Sequence, residues 1–296
     1  MSLPDRPFSI GKLVVFGVGL IGASFALALK QAGAVRKVVG VGRSRANLDV
    51  AMERGAIDEI GGDLAAALHD ADLVLLAVPV AQTAAVMASI VPHLPAHCVV
   101  TDGGSTKQDV VAAARKTFGA KISQFVPAHP IAGAEHSGAG AADAGLYRNR
   151  MVVLTPLDET SVAATKLVRA AWTTCGARVI EMPAQRHDEV FAAVSHLPHA
   201  LAFALVSMFA QRPRGEELFS FAGAGFRDFT RIASSSPEMW RDICLANRDA
   251  LLGELDAYQA ALHSMRGLIA QGDEAGLAAL FEHARGARNR WLSGKG

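Results

Sequence analysis

The stretch Lys12-Leu-Val-Val-Phe-Gly-Val-Gly-Leu-Ile-Gly22 constrains this chain more than any other. An apolar strand runs directly into Gly17-x-Gly19-x-x-Gly22, and Ala23-Ser-Phe-Ala-Leu-Ala-Leu-Lys30 reads as the next helix, closed by Gly33. In such a turn Gly17 permits the tight reversal, Gly19 lets the backbone approach a pyrophosphate, and Gly22 lets the helix pack on the strand. The N–H groups at the helix start then face the anion. A bare glycine triplet is weak evidence, but the strand before it and the helix after it supply the required context. Gly17, Gly19, Leu20, Ile21 and Gly22 are therefore expected at a bound dinucleotide.

Strand-like and helix-like segments alternate onward from this turn. Val38–Val41, a short Ala56–Ile60, Leu73–Pro79, Cys98–Asp102, Gln124–His129, Met151–Thr155 and Arg178–Glu181 read as strands. Arg45–Arg54, Leu64–His69 and Ser161–Cys175 read as helices between them. The continuous apolar run at Leu73–Pro79 suits a strand covered on both faces, and the alternation implies βαβ units. The expected fold is a Rossmann-type doubly wound, mostly parallel α/β sheet over residues 1–182. After Pro183 strand signals stop, and Asp188–Gln211, Pro237–Met265 and Asp273–Ser293 read as helices. Residues 183–296 are expected to form an all-α substrate and dimerisation domain, because its apolar faces exceed what it can bury alone.

Composition narrows the function classes. Of 296 residues 51% are apolar and 19% charged, which calls for a packed core rather than disorder. A net charge of +1 without a long basic run argues against nucleic acid as the main partner. Cys98, Cys175 and Cys244 are far apart, as free thiols in a reducing compartment would be. Met1-Ser-Leu-Pro-Asp-Arg-Pro lacks the apolar centre of a signal peptide, so a cytoplasmic location is expected. Val190–Ala210 is apolar enough to cross a bilayer, yet it holds His196, Pro198 and His199. It reads as a helix buried in protein, at a subunit contact, with no membrane partner.

Ligands of doubly wound sheets bind beyond the carboxyl ends of the strands, so polar residues there come first. Val78 and Pro79 can lie along the nucleotide. Thr101-Asp-Gly-Gly-Ser-Thr-Lys107 offers Ser105 and Lys107, and Ala128-His129-Pro-Ile-Ala-Gly133-Ala-Glu135 offers His129 and Glu135. Ser105 also suits a plain helix N-cap, and Lys107 a solvated helix start. A histidine at a strand end beside a nucleotide favours chemistry. In the helical part His196 and His199 lie one turn apart, without an HExxH pattern or a nearby cysteine, so no metal is expected. Arg227 and Arg231, with Asp228 between them, read as a surface ion network or as a carboxylate clamp.

Five motifs in register resemble the prephenate/arogenate (cyclohexadienyl) dehydrogenases of tyrosine biosynthesis. They are Gly17-x-Gly19-Leu-Ile-Gly22, Asp102-x-Gly-Ser105-x-Lys107, His129-Pro-Ile-Ala-Gly133-x-Glu135, His187-Asp188…Ser195-His-Leu-Pro-His199, and Gly225-Phe-Arg-Asp-Phe-Thr-Arg231-Ile-Ala. The resemblance implies a homodimer through the helical domain that decarboxylates a small cyclohexadiene diacid while hydride passes to NAD(P)+. It implies His129 as catalytic base, with Ser105 orienting it. Arg231 would hold a substrate carboxylate and His199 the substrate side chain, with Lys107 also at the substrate. Glu135, Arg227 and Asp228 would be gating or supporting charges. Imidazole 129 and guanidinium 231 would face each other across the nicotinamide.

Cofactor preference is argued locally. NAD-specific folds place an acid near the end of the second strand to hold the ribose hydroxyl. Here Val41 is followed by Gly42-Arg43-Ser44-Arg45, whose cations and hydroxyl can meet a 2′-phosphate. NADP is favoured, with NAD the alternative. Competing readings are another two-domain hydroxyacid or imine oxidoreductase and a non-catalytic nucleotide sensor.

Overall fold

The computed structural model describes residues 8–133 and 136–294. Strands β1 (Ile10–Phe16), β2 (Val35–Val41), β3 (Glu59–Ile60), β4 (Leu73–Leu76), β5 (Val99–Asp102) and β6 (Phe125–Val126) form one parallel sheet in the order β3-β2-β1-β4-β5-β6. Helices α1 (Leu20–Gln31), α2 (Arg45–Glu53), α3 (Leu64–Leu68), α4 (Val80–Ile90) and α5 (Gln108–Phe118) connect them. The order reverses at β1 and β4, which opens a crevice beyond their carboxyl ends.

Period-two alternation explains why these strands sit in the middle of the molecule. Leu13, Val15, Leu73 and Leu75 join one core with Phe25 and Trp172. Val14, Phe16, Val74 and Leu76 join another with Met87, Phe118 and Phe125. Both sheet faces are thus covered, at about 1.5–3 kcal/mol for each large apolar side chain withdrawn from water.

The expected single strand over residues 124–129 is two strands. Pro127 has no N–H to donate, and the chain leaves the first sheet there. Strand β7 (Ala128–Pro130) instead pairs antiparallel with β8 (Met151–Leu154), which runs parallel to β9 (Arg178–Glu181) after helix α6 (Val162–Thr174). His129 pairs in register with Val153 in this second sheet.

Helices follow: α7 (Ala184–Phe191), a π turn at Ala192–His196, α8 (Leu197–Ala210), α9 (Gly215–Ser220), α10 (Ala224–Thr230), a 3-10 turn at Arg231–Ser234 and α11 (Pro237–Ala246). The last two are α12 (Arg248–Gln271) and α13 (Glu274–Ser293). Pro198 lies in the first turn of α8, where it cannot donate to the preceding turn, and the π turn spans that break. Contacts divide the chain into two compact units, Met1–Arg248 and Asp249–Gly296. In the second unit Asp273 caps α13, accepting from Gly276 N.

The apolar helical segment is covered only in part by its own chain. Ala184–Ala210 has a mean hydropathy of 1.6 in its most apolar window, but only 22% of that window is buried by the chain itself. Val194 and Met208 are exposed on it. Its own chain covers too little of its surface to make it a core helix.

Candidate active site

The glycine turn is shaped by backbone sterics. Gly17 has φ +88°, and a Cβ there would lie 2.3 Å from the Ala77 carbonyl oxygen. A Cβ on Gly22 would lie 2.3 Å from the Gly17 carbonyl oxygen. Gly19 is the opposite case, because a Cβ there would meet nothing within 4 Å. Two glycines are therefore needed for packing, while the third lines open space, as a cradle for a phosphate requires. Val78 and Pro79 follow β4 immediately beside this turn, where Ala77 N donates to Phe16 O.

Ser44 and its neighbours lie at the end of β2. The Ser44 hydroxyl caps α2, accepting from Asn47 N at 3.2 Å. Arg45 pairs with Asp49 at 2.9 Å on the surface, and Arg43 is exposed. Exposed pairs of this kind are worth under about 1 kcal/mol, so Arg45 can exchange its partner at little cost. The residues present fit a dinucleotide: an open cradle at Gly19, and two exposed arginines at the strand end where its ribose would lie.

Gly103 joins this edge to the histidine loop. A Cβ on Gly103 would lie 3.2 Å from Ile21 Cγ2 and 3.7 Å from Pro130 Cδ. The first turn of α1 and the residue after His129 therefore flank the same glycine. Tyr147 adds a second tie, donating its hydroxyl to the Ile21 carbonyl at 2.6 Å.

His129 sits in a web of long-range polar contacts. Its Nδ1 lies 2.8 Å from His187 Nε2, and His187 Nδ1 lies 2.8 Å from Asp188 Oδ1. The Asp188 carboxylate also accepts from the backbone N–H groups of Lys107 and Gln108, each at 2.8 Å. These are the first amides of α5, whose own N-cap position carries no side-chain cap. A carboxylate from α7 thus performs the capping that Ser105 was one candidate to supply. Phe191 closes the cluster, its ring centroid 4.8 Å from His129 and 4.5 Å from His187.

Electrostatics follow from this burial. Although His129 is half-buried as a whole residue, desolvation lowers its pKa well below the ordinary histidine value, with His187, Lys107 and His196 adding to the shift. His187 is lowered too, by burial, against the opposing pull of Asp188. Burial alone would raise Asp188, but hydrogen bonds from His187, Gln108 and Lys107 outweigh it and hold the carboxyl below its usual value. At neutral pH the site therefore holds an uncharged imidazole pair beside an ionised carboxylate.

Lys107, expected at the substrate or solvated at a helix start, is buried. Its side chain is 0% exposed, and its ammonium pairs with Asp102 and donates to the Ala128 carbonyl at 2.8 Å. Asp102 also accepts from Gly104 N at 2.8 Å and Ala128 N at 3.0 Å. The ion pair ties the end of β5 to β7 and so holds the backbone that carries His129. Two of the three ammonium hydrogens are thereby engaged inside the protein.

Ser105 lies partly exposed in the same loop, two residues before that N-cap. His199 donates Nδ1–H to the Ser195 carbonyl at 2.9 Å and stacks on Trp240 at 3.6 Å. Its pKa is lowered by burial and by the charge of Arg231, so those two residues are electrostatic neighbours. Arg231 opens the 3-10 turn after α10, and Arg227 and Asp228 lie exposed on α10 itself. Glu135 falls outside the described residues.

Three residues of this cluster carried no assigned role in the sequence: His187, Asp188 and Asn247. Asn247 donates to the Asp188 carbonyl at 2.8 Å and lies 3.1 Å from His196 Nδ1. Only the adjacent pair His187-Asp188 offered a signal, since two polar residues at the start of an apolar helix need partners when buried.

A parallel sheet with an open glycine cradle at its switch point, and a desolvated histidine on the same edge, is the arrangement of a nucleotide-binding oxidoreductase. Residues 25–181 match the family described as the prephenate dehydrogenase nucleotide-binding domain, and residues 183–283 match the prephenate dehydrogenase dimerization domain. The chain is 35% identical to prephenate dehydrogenase of Bacillus subtilis (strain 168), over 94% of this chain and 75% of that one. It is 35% identical to cyclohexadienyl dehydrogenase of Zymomonas mobilis, over 93% and 94%. It superimposes with a TM-score of 0.90, at 34% identity, on the crystal structure of prephenate dehydrogenase from Aquifex aeolicus in complex with hydroxyphenyl propionate and NAD+, covering 96% of this chain and 99% of that one. The chain belongs to the prephenate dehydrogenase family.

Proposed function

We propose that this chain oxidatively decarboxylates prephenate, arogenate or both, in tyrosine biosynthesis, with NADP+ preferred over NAD+ as acceptor. The observation that carries this reading is His129, hydrogen-bonded to His187 and set beside the glycine cradle through Gly103 and Ile21. An imidazole held neutral at neutral pH is available as a base, without first losing a proton.

When bound, an oxidised nicotinamide supplies the acceptor for the hydride leaving C4 of the cyclohexadiene ring. His129 accepts the C4 hydroxyl proton as that carbon is oxidised. The bond from C1 to its carboxylate then breaks, CO2 leaves, the electron pair of that bond makes the ring aromatic, and the phenolic oxygen regains a proton. Aromatisation supplies the driving force, so the work of the protein is orientation and proton handling. Ser105 orients the C4 hydroxyl and His129. Arg231 holds a substrate carboxylate and His199 the side chain, with Glu135, Arg227 and Asp228 as supporting charges. Lys107 and Asp102 act beneath them by fixing β7.

NADP+ preference is supported by the lack of any acid in Gly42-Arg43-Ser44-Arg45 and by the exposure of both arginines. A second copy of the chain, rather than lipid, covers the uncovered apolar helix at Ala184–Ala210, in line with the dimerization domain it matches. The change of role along the chain falls near residue 182.

Steady-state assays with prephenate and arogenate, each with NADP+ and NAD+, test this reading through the absorbance of the reduced nicotinamide. Turnover of at least one substrate is expected, with the higher kcat/KM for NADP+. An Arg231→Lys variant should raise KM far more than it lowers kcat, because a bidentate fork is lost while the base remains. No reduction with either substrate would end the assignment.

A further inference from the structure

Hydrogen bonds determine which nitrogen of each ring carries a proton, and the chain of bonds beneath His129 can be followed link by link. Backbone N–H groups only donate, so the Asp188 carboxylate must accept from Lys107 N and Gln108 N, and those bonds favour its ionised form. An ionised carboxylate has no hydrogen to give. The hydrogen between Asp188 Oδ1 and His187 Nδ1 therefore belongs to His187. A neutral His187 with its hydrogen on Nδ1 has a bare Nε2, which can only accept. That Nε2 lies 2.8 Å from His129 Nδ1, too close for two lone pairs, so His129 Nδ1 must carry the hydrogen between them.

We propose that Asp188 and His187 form a two-link positioning relay that fixes His129 in its Nδ1–H tautomer and leaves Nε2 as the proton-accepting atom. The inference rests on the reading of His129 as the base and adds which nitrogen acts and what selects it. Neither His187 nor Asp188 touches the reacting atoms. When Nε2 takes a proton, the cation on His129 stays hydrogen-bonded through Nδ1 to an imidazole that is itself bound to a carboxylate. Charge formed at the base is thereby shared along the relay while Asp188 stays ionised. Phe191 packs against both rings, and their planes meet at 63°. The other charged or titratable groups acting on this pair are Lys107, Asp102 and His196.

The relay has two uses for one carboxylate. Asp188 caps α5 through both oxygens and orients His187 through one of them. The amide-rich end of α5, the buried ammonium of Lys107 and the base are thus set by the same α7 residue pair. A merely structural Asp188 would need only the capping bonds, and His187 would then be free to present either nitrogen to His129.

Long-range proton–nitrogen correlation spectra of the full-length, histidine-labelled protein read the tautomers directly. His129 is assigned by the signal lost in His129→Asn. The relay requires His129 and His187 both to show the Nδ1–H pattern in the wild type. Asp188→Ala removes the acceptor that holds the hydrogen on His187 Nδ1, frees both rings to exchange tautomers, and should move His129 toward Nε2–H. Its kcat should fall at least about tenfold, the direction expected when a base carries its proton on the wrong nitrogen. His187→Gln keeps an acceptor for His129 Nδ1–H and should retain the tautomer and more activity than His187→Leu. If Asp188→Ala does not fold, the wild-type spectrum and the His187 pair still decide the matter. A wild-type His129 in the Nε2–H form, or tautomers unmoved by both His187→Leu and Asp188→Ala, would overturn the relay. A correct tautomer without turnover of either substrate would leave the relay standing and remove the proposed reaction instead.

Discussion

The two ends of the site crevice are built by different physics. At the glycine turn, function comes from backbone shape: Gly17 and Gly22 are needed because any Cβ would strike a carbonyl, and Gly19 because the space beside it must stay open. At the histidine end, function comes from side chains that meet across long stretches of sequence. His129 and His187 are 58 residues apart, and Asp188 reaches Lys107 N across 81. The first kind of site tolerates no bulk but needs few partners. The second tolerates many backbones, but each polar atom in it depends on the next.

That contrast can be broken or sharpened by substitution. The largest effect belongs to the histidine end. His129→Ala should lower kcat by about 10²–10⁴-fold with the fold intact, the usual worth of a positioned base. Near-normal turnover would place the chemistry elsewhere. Lys107→Met comes next. It leaves Asp102 buried without its cation and should cost about 3–5 kcal/mol in denaturant unfolding, as broken buried pairs do. A change within about 0.5 kcal/mol would mean that the pair does not hold β7.

Acid should also separate the two ends. Burial lowers His196 from 6.5 to about 4, and His129 and His187 shift in the same direction. The folded state then binds fewer protons than the unfolded chain at mildly acidic pH, so stability rises with pH in that window. Stability is complete above pH 6.5 and is lost as pH falls toward 4, by about 3 kcal/mol from His196 alone. Unfolding midpoints measured across that range should show the slope, and His196→Asn should flatten it. The acid limb of kcat/KM should likewise lie below the ordinary histidine value.

The smallest stability effects, and the cleanest contrast, lie at the glycine turn. Gly22→Ala should cost about 1–3 kcal/mol through overpacking, because its Cβ meets fixed backbone. Gly19→Ala should leave stability within about 0.5 kcal/mol while raising the Kd of the dinucleotide. Equal losses of stability at both positions would erase the distinction between a packing glycine and a cradle glycine.

The same distinction explains what could be read in advance. The strand–turn–helix at residues 12–30, the parallel alternation and the change to helices after Pro183 were legible because each is a local pattern. The split at Pro127 was missed since the apolar run continues through it, although proline itself signals that a strand ends there. His129 was legible as a strand-end histidine. The burial of Lys107 against Asp102 could not be read in advance, because a lysine at a helix entry looks solvated until its acid partner is known. The pairing of His187 with His129 could not be read from spacing, since it depends on α7 packing beside α5 and β7. Likewise, the exposed apolar surface of Ala184–Ala210 cannot be told from a core helix by composition.

The most direct test follows one reaction to completion with prephenate, or arogenate if that is the substrate turned over. Reduced nicotinamide, carbon dioxide and aromatic product are quantified together for the wild type and for His129→Asn. The account predicts equal amounts of all three from the wild type, and a common collapse in the variant. Reduced nicotinamide without carbon dioxide, or undiminished product from His129→Asn, would contradict it.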